Sequence, residues 1–159
     1  MSKKFNRHLI LNAILGCGIP TGVINGLLAY YTGHEKDFMG AAIDMNFTIA
    51  AVALILSLLM FPLMTKLAHT LPEPGVNRSD IALFASLPAK TLPLALVLTV
   101  VATLIFGIIP AVILGFFSPA PMSVLNFAIL KGVYTGAVAV PVNYIAVAMA
   151  KLCAAEAQA

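Results

Sequence analysis

Lys131 is the residue whose type and setting most need a chemical explanation. It lies in an apolar run from Leu125 to Leu152, and a cation inside a membrane-length segment costs about 2.5–3.5 kcal/mol on insertion scales, so it finds a partner or reaches water. Asp44 stands at the start of another apolar run, Met45 to Leu67. Lys131 lies roughly two helical turns, or about 9–10 Å, in from the end of its span, and Asp44, at the start of the other span on the same side, falls at similar depth. Two chemistries fit this pair. In one, Lys131 extends its head toward the interface and is neutralised by Asp44, a structural arrangement. In the other, it contacts an anion or relays a proton in a cavity.

Several neutral polar residues fall where they could join that site. Asn126, Lys131 and Tyr134 lie on related faces of one predicted helix, with Asn143 and Tyr144 deeper, while Asn25 and Asn46 lie in the corresponding halves of two others. Together they could line a polar pocket that binds a small solute. Taken singly, each is better explained by interhelical hydrogen bonding, worth about 0.6 kcal/mol on average in membranes. No nucleophile–base pair or phosphate loop accompanies them. His8, His34 and His69 are dispersed, and Cys17 and Cys153 have neither CxxC nor Cys/His spacing. No catalytic residue, metal or cofactor is therefore expected, and an enzyme is not. The cysteines read as small apolar residues.

The elements that position these residues follow from composition. Of 159 residues, 61% are hydrophobic and 9% charged, with a mean hydropathy of +1.02, against about 45–50% and about 25% in soluble domains. A globule this small could not hide so much apolar surface, so the lipid bilayer is the first partner. A formal charge of +3, scattered along the chain, excludes a nucleic-acid surface. About 20 apolar residues cross the hydrocarbon core, and four stretches qualify: Leu9 to Tyr31, Met45 to Leu67, Leu92 to Phe117, and the part of Pro121 to Leu152 that follows Leu125. The expected fold is all-α, a single polytopic transmembrane domain over residues 1–159 with four spanning helices. Ser79 and Asp80 could start a short interfacial helix over Ile81, Leu83, Phe84 and Leu87, with irregular loop the alternative. Lys3, Lys4 and Arg7 before Ile14-Leu15-Gly16-Cys17 have the outline of a lipoprotein signal. The apolar run before Cys17 is too short for that, and apolar sequence continues to Tyr31, so a retained first helix is expected.

Basic residues set the orientation. Lys3, Lys4, Arg7, Lys66, Arg78, Lys90 and Lys151 fall on one side, Lys36 alone on the other, and Lys131 in between. Both termini and the loop at about 68–91 are thus expected in the cytoplasm, with His34-Glu35-Lys36-Asp37 facing outward.

Small residues mark the packing faces. Gly18, Gly22 and Gly26 form a GxxxGxxxG strip in the first span, and Gly132 and Gly136 form GxxxG in the fourth; both let backbones approach closely, within the chain or between subunits. Pro20, Pro62, Pro110 and Pro141 place one proline in each span, and each permits a kink.

An internal repeat is also expected. Met64-Thr65-Lys66-Leu67 is echoed by Met149-Ala150-Lys151-Leu152, and Gly18-Ile19-Pro20 by Ile108-Ile109-Pro110. A two-helix unit over about 1–70 and a second over about 92–155 would be parallel, related by an axis along the membrane normal. Phe127-Ala128-Ile129-Leu130-Lys131-Gly132, followed by Val140-Pro141-Val142-Asn143 and Lys151, resembles the second helix of small two-span bacterial inner-membrane proteins of unknown function. Ala50 to Lys66, with Phe61-Pro62-Leu63, is similar but has Asn46 where the lysine would stand. The resemblance implies two fused copies in a bacterial inner membrane and transfers no activity. Small multidrug resistance proteins and the proteobacterial antimicrobial compound efflux proteins also pack four spans into a short chain. They rely on a carboxylate in the first span, which is absent here, as is tryptophan. The expected function is that of a small transporter- or permease-like protein, acting as a homo-oligomer or within a larger membrane complex. The alternative is a non-catalytic accessory or scaffold subunit.

Overall fold

The computed structural model describes residues 3–67, 81, 84, 86–115 and 121–157, and these are helical apart from short connections and turns. Among the described residues four helices are long and apolar enough to cross a membrane: Leu9–Thr32, Phe38–Leu67, Thr91–Ile113 and Val124–Glu156. The chain is a multi-pass membrane protein. The second span starts seven residues earlier than hydropathy alone suggests, at Phe38, and therefore takes in Asp44.

The fourth span is the hub. Two thirds of its most apolar window (67%) is buried by protein, against 28%, 22% and 17% for the first, second and third spans. Its buried positions include Ala128, Gly132, Gly136, Ala139, Ala146, Ala148, Ala150 and Ala154. Small residues on several sides of one helix let neighbours come close on several sides, and dispersion rather than hydrophobicity holds such contacts in lipid. The other spans bury one stripe each. In the second it is Ala41, Ile49, Ala53, Ser57 and Phe61, a four-residue period; in the third it is Leu94, Ala95, Leu98 and Ala102.

Buried apolar side chains form three layers along the bundle. Ala29, Ala41, Phe127 and Ala128 close the end near the first loop. Ile49, Ala53, Ala102, Val138 and Val142 form the middle. Leu9, Phe61, Leu94, Leu98 and the 146–152 segment form the opposite end. The expected interfacial helix falls largely outside the described residues, including Ser79, Asp80 and Leu83. Its described part folds inward: Ile81 is buried in the third layer with Phe84 and Leu87 packed on it, through successive i→i+3 bonds of 2.8 and 2.9 Å. Lys151, counted above with the cytoplasmic charges, is itself buried.

The first and third spans each widen into a π-helical turn before their proline. Ile14–Gly18 precedes Pro20 and Thr103–Ile108 precedes Pro110, with each proline two residues beyond the turn. Proline lacks the N–H that closes an α-helical ring and its own ring crowds the carbonyl four residues back; a π turn is one way a helix absorbs this. Pro62 and Pro141 sit inside helices assigned as continuous α.

Candidate functional site

The first loop is short. The first span ends at Gly33 in extended conformation, and the second begins five residues later, with the Asp37 carboxylate accepting from the Gly40 N–H at 2.8 Å. The connection between the third and fourth spans meets this loop. Lys36 and Met122 exchange backbone hydrogen bonds of 3.3 and 2.9 Å in an isolated antiparallel bridge. One residue on, Ser123 caps the fourth span by accepting from the Asn126 N–H.

That bridge holds Lys36 over the start of the second span, where its ammonium donates to Asp44 Oδ2. Lys131, from the fourth span, donates to Asp44 Oδ1. Asp44 and Lys131 sit about 9 and 10 Å from the starts of their parallel helices at 1.5 Å per residue, so equal depth is what brings them together. The three side chains are 16%, 25% and 12% exposed for Lys36, Asp44 and Lys131: sheltered, with the carboxylate the most open. Thr48, one turn below, donates to Asp44 Oδ1 at 3.3 Å and to the Asp44 carbonyl at 2.8 Å. Beneath the cations lies the buried ring of Phe127, its centroid 5.0 Å from Lys36 Nζ and 5.7 Å from Lys131 Nζ, within reach of a cation–π attraction.

Sequence reading missed Lys36 in this site. A lone lysine in a four-residue polar stretch reads as solvated, and the signal that could have found it is loop length: a connection this short places Lys36 only eight residues from Asp44, on the same end of the helix.

The remaining polar candidates do not converge on the cluster. Asn25 Nδ2 donates to the Thr21 carbonyl on its own helix, at 2.9 Å, and Asn126 is exposed. Asn46 Nδ2 donates to the Ala42 carbonyl at 2.8 Å, while its Oδ1 is buried without a hydrogen-bond partner and rests against Gly107, where a Cβ would clash with it. Tyr134 hydroxyl donates to the Phe106 carbonyl at 2.7 Å. Phe106 is the acceptor that Pro110 would serve in an α-helix, so Tyr134 supplies the donor that proline lacks. Asn143 is buried twelve residues below Lys131 with Oδ1 unpartnered.

The glycine strips meet each other. Gly18, Gly22 and Gly26 lie against Gly136, Gly132 and Ala128 of the antiparallel fourth span. Flanking this crossing is an apolar groove of about 730 Å³, open along the first and fourth spans and bounded by Ile19, Val23, Leu27, Ile129 and Val133. At 100° per residue the groove-lining positions of the fourth span, such as 129, 132 and 136, lie opposite those of the ion cluster, 127 and 131. Groove and cluster are separate features. Among the described residues no group of His, Cys, Asp and Glu is placed to hold a metal. Comparison with protein families, curated proteins and solved structures finds no match for this chain.

Proposed function

We propose that this chain is a small transporter- or permease-like protein of a bacterial inner membrane, with both termini cytoplasmic, that binds a small solute at the Lys36–Asp44–Lys131 cluster. The observation that carries the reading is the cluster itself: Asp44 and Lys131 within membrane-length helices, joined by Lys36 from the first loop, sheltered but not sealed. Ionisable groups inside membrane spans are expensive and are retained where they contact a substrate or ion pathway. Asn46, Tyr134 and Asn143 extend polarity inward along the bundle, and the proline-linked π turns in two spans are the places where alternating access would bend the helices. The paired π turns also favour a parallel repeat of a two-helix unit. Reconstitution into proteoliposomes tests the reading. Solute uptake or exchange is expected from the native chain and its loss from Lys131→Leu, with expression retained; native uptake unaffected by Lys131→Leu would sink the site.

The open apolar groove supports a second reading, an accessory subunit whose partner helix lies along the first and fourth spans. Native mass spectrometry after gentle extraction separates the two. A stoichiometric larger partner favours the accessory role, and a homo-oligomer or monomer with bound small molecule favours transport.

A further inference from the structure

Most acceptor sites of the charge cluster are taken, and most of its donors are not. Asp44 accepts from Lys36 on one oxygen, and from Lys131 and Thr48 on the other. Each ammonium carries three N–H donors, yet among the described residues each makes a single hydrogen bond, the one to Asp44. The charge is unbalanced in the same sense, two cations to one carboxylate. Phe127 softens this through its ring face but carries no net negative charge. Glu35 and Asp37, which flank Lys36, are exposed, and Asp37 is engaged with the Gly40 N–H; water and salt screen them. An excess of one positive charge in a sheltered site is costly until an anion neutralises it.

We infer that the cluster is an anion site whose ligand is a small monovalent anion, held by the Lys36 and Lys131 ammoniums, with Asp44 acting as the built-in competitor that weakens the affinity. The inference rests on the reading of this cluster as the solute site and adds the ligand's charge and the role of Asp44. A cation would meet two ammoniums around a carboxylate that already accepts three hydrogen bonds. A single negative charge is what cancels the excess. Lys36 belongs to the first loop and is tied by its backbone to Met122, so both loops at this end take part in holding the ligand.

The test uses the full chain in lipid nanodiscs with chloride as the probe, following broadening of the chloride magnetic resonance line in a gluconate background. Saturable broadening is expected. Lys36→Gln leaves the neutral Asp44–Lys131 pair and should weaken binding by about tenfold or more, while Asp44→Asn removes the competitor and should tighten it by about tenfold, each tenfold step being one decade in Kd. The sign of the Asp44 effect is the discriminating result, because a cation site would lose its ligand. Lys36→Gln lies in the loop and keeps the intramembrane pair, so it decides the matter even if Asp44→Asn fails to insert. Absence of saturable broadening in the native chain, unchanged binding in Lys36→Gln, or weaker binding in Asp44→Asn would each overturn the inference. Chloride efflux from proteoliposomes separates this from the transport reading: binding without flux keeps the anion site and removes transport, and flux of a neutral or cationic solute without chloride binding does the reverse.

Discussion

Gly22 of the first span and Gly132 of the fourth stand backbone to backbone, so that a Cβ on Gly22 would lie 2.7 Å from the Gly132 carbonyl oxygen, and one on Gly132 2.9 Å from the Gly22 carbonyl. No flexible side chain is there to yield. Gly22→Ala should therefore separate the two helices and destabilise the bundle by about 1–3 kcal/mol, the usual cost of overpacking. Gly16, six residues away, meets nothing within 4 Å, and Gly16→Ala should stay within about 1 kcal/mol of the native protein. Unfolding titrations of both variants in mixed micelles check the contrast; equal losses would refute the packing account.

Asp44 serves two cations, so removing it should cost more than removing either. Breaking a buried ion pair costs about 3–5 kcal/mol. With Asp44 a quarter exposed, Asp44→Asn is expected to lose about 1–3 kcal/mol, and Lys131→Met less, because Lys36 still pairs with the carboxylate. A double-mutant cycle over Asp44 and Lys131 should return a coupling energy of about 0.5–3 kcal/mol, the range for directly contacting residues. Additive losses would mean the pair contributes nothing.

Tyr134→Phe removes the hydroxyl donor from the Phe106 carbonyl and should cost about 0.5–1.5 kcal/mol, the net worth of one hydrogen bond. Pro110→Ala restores the N–H that an α-helix would offer to Phe106. In that background the loss from Tyr134→Phe should shrink. If it stays the same size, the hydroxyl is not replacing the missing proline donor.

Gly107 makes room for Asn46, whose Oδ1 a Cβ at that position would overlap. Gly107→Ala is expected to destabilise by about 1–3 kcal/mol, and Asn46→Ala in the same chain to recover most of it, since it removes the colliding Oδ1, itself buried and unpartnered. Thermal unfolding of the two single variants and the double variant decides this; no recovery would show that the crowding lies elsewhere.

Four spans were legible because hydropathy over about 20 residues is a property of composition, and the bilayer imposes the length. The Asp44–Lys131 contact was legible for a related reason: two charges at equal depth in apolar helices have few other partners. The asparagines were not, because Asn25 and Asn46 can turn back to the carbonyl four residues earlier on their own helix, and sequence does not separate that from reaching across a pocket. Nor were the π turns at Ile14–Gly18 and Thr103–Ile108. Pro62 and Pro141 lie in helices that absorb their proline without widening, so the residue type alone does not select the response. The glycine strips pointed to close packing, but the antiparallel match of Gly18, Gly22 and Gly26 to Gly136, Gly132 and Ala128 needs the topology as well.

The burial of the fourth span has a consequence for biosynthesis. It is the last of the four to leave the ribosome, and its best window has a mean hydropathy of 1.7 against 2.4 and 2.7 for the second and third. Until it inserts, Asp44 lacks Lys131, the Gly18–Gly26 strip faces lipid, and the Phe106 carbonyl waits for Tyr134. The second and third helices can already pack on each other, Asn46 against Gly107, whereas the first has its contacts with the fourth and docks only once that helix is in place.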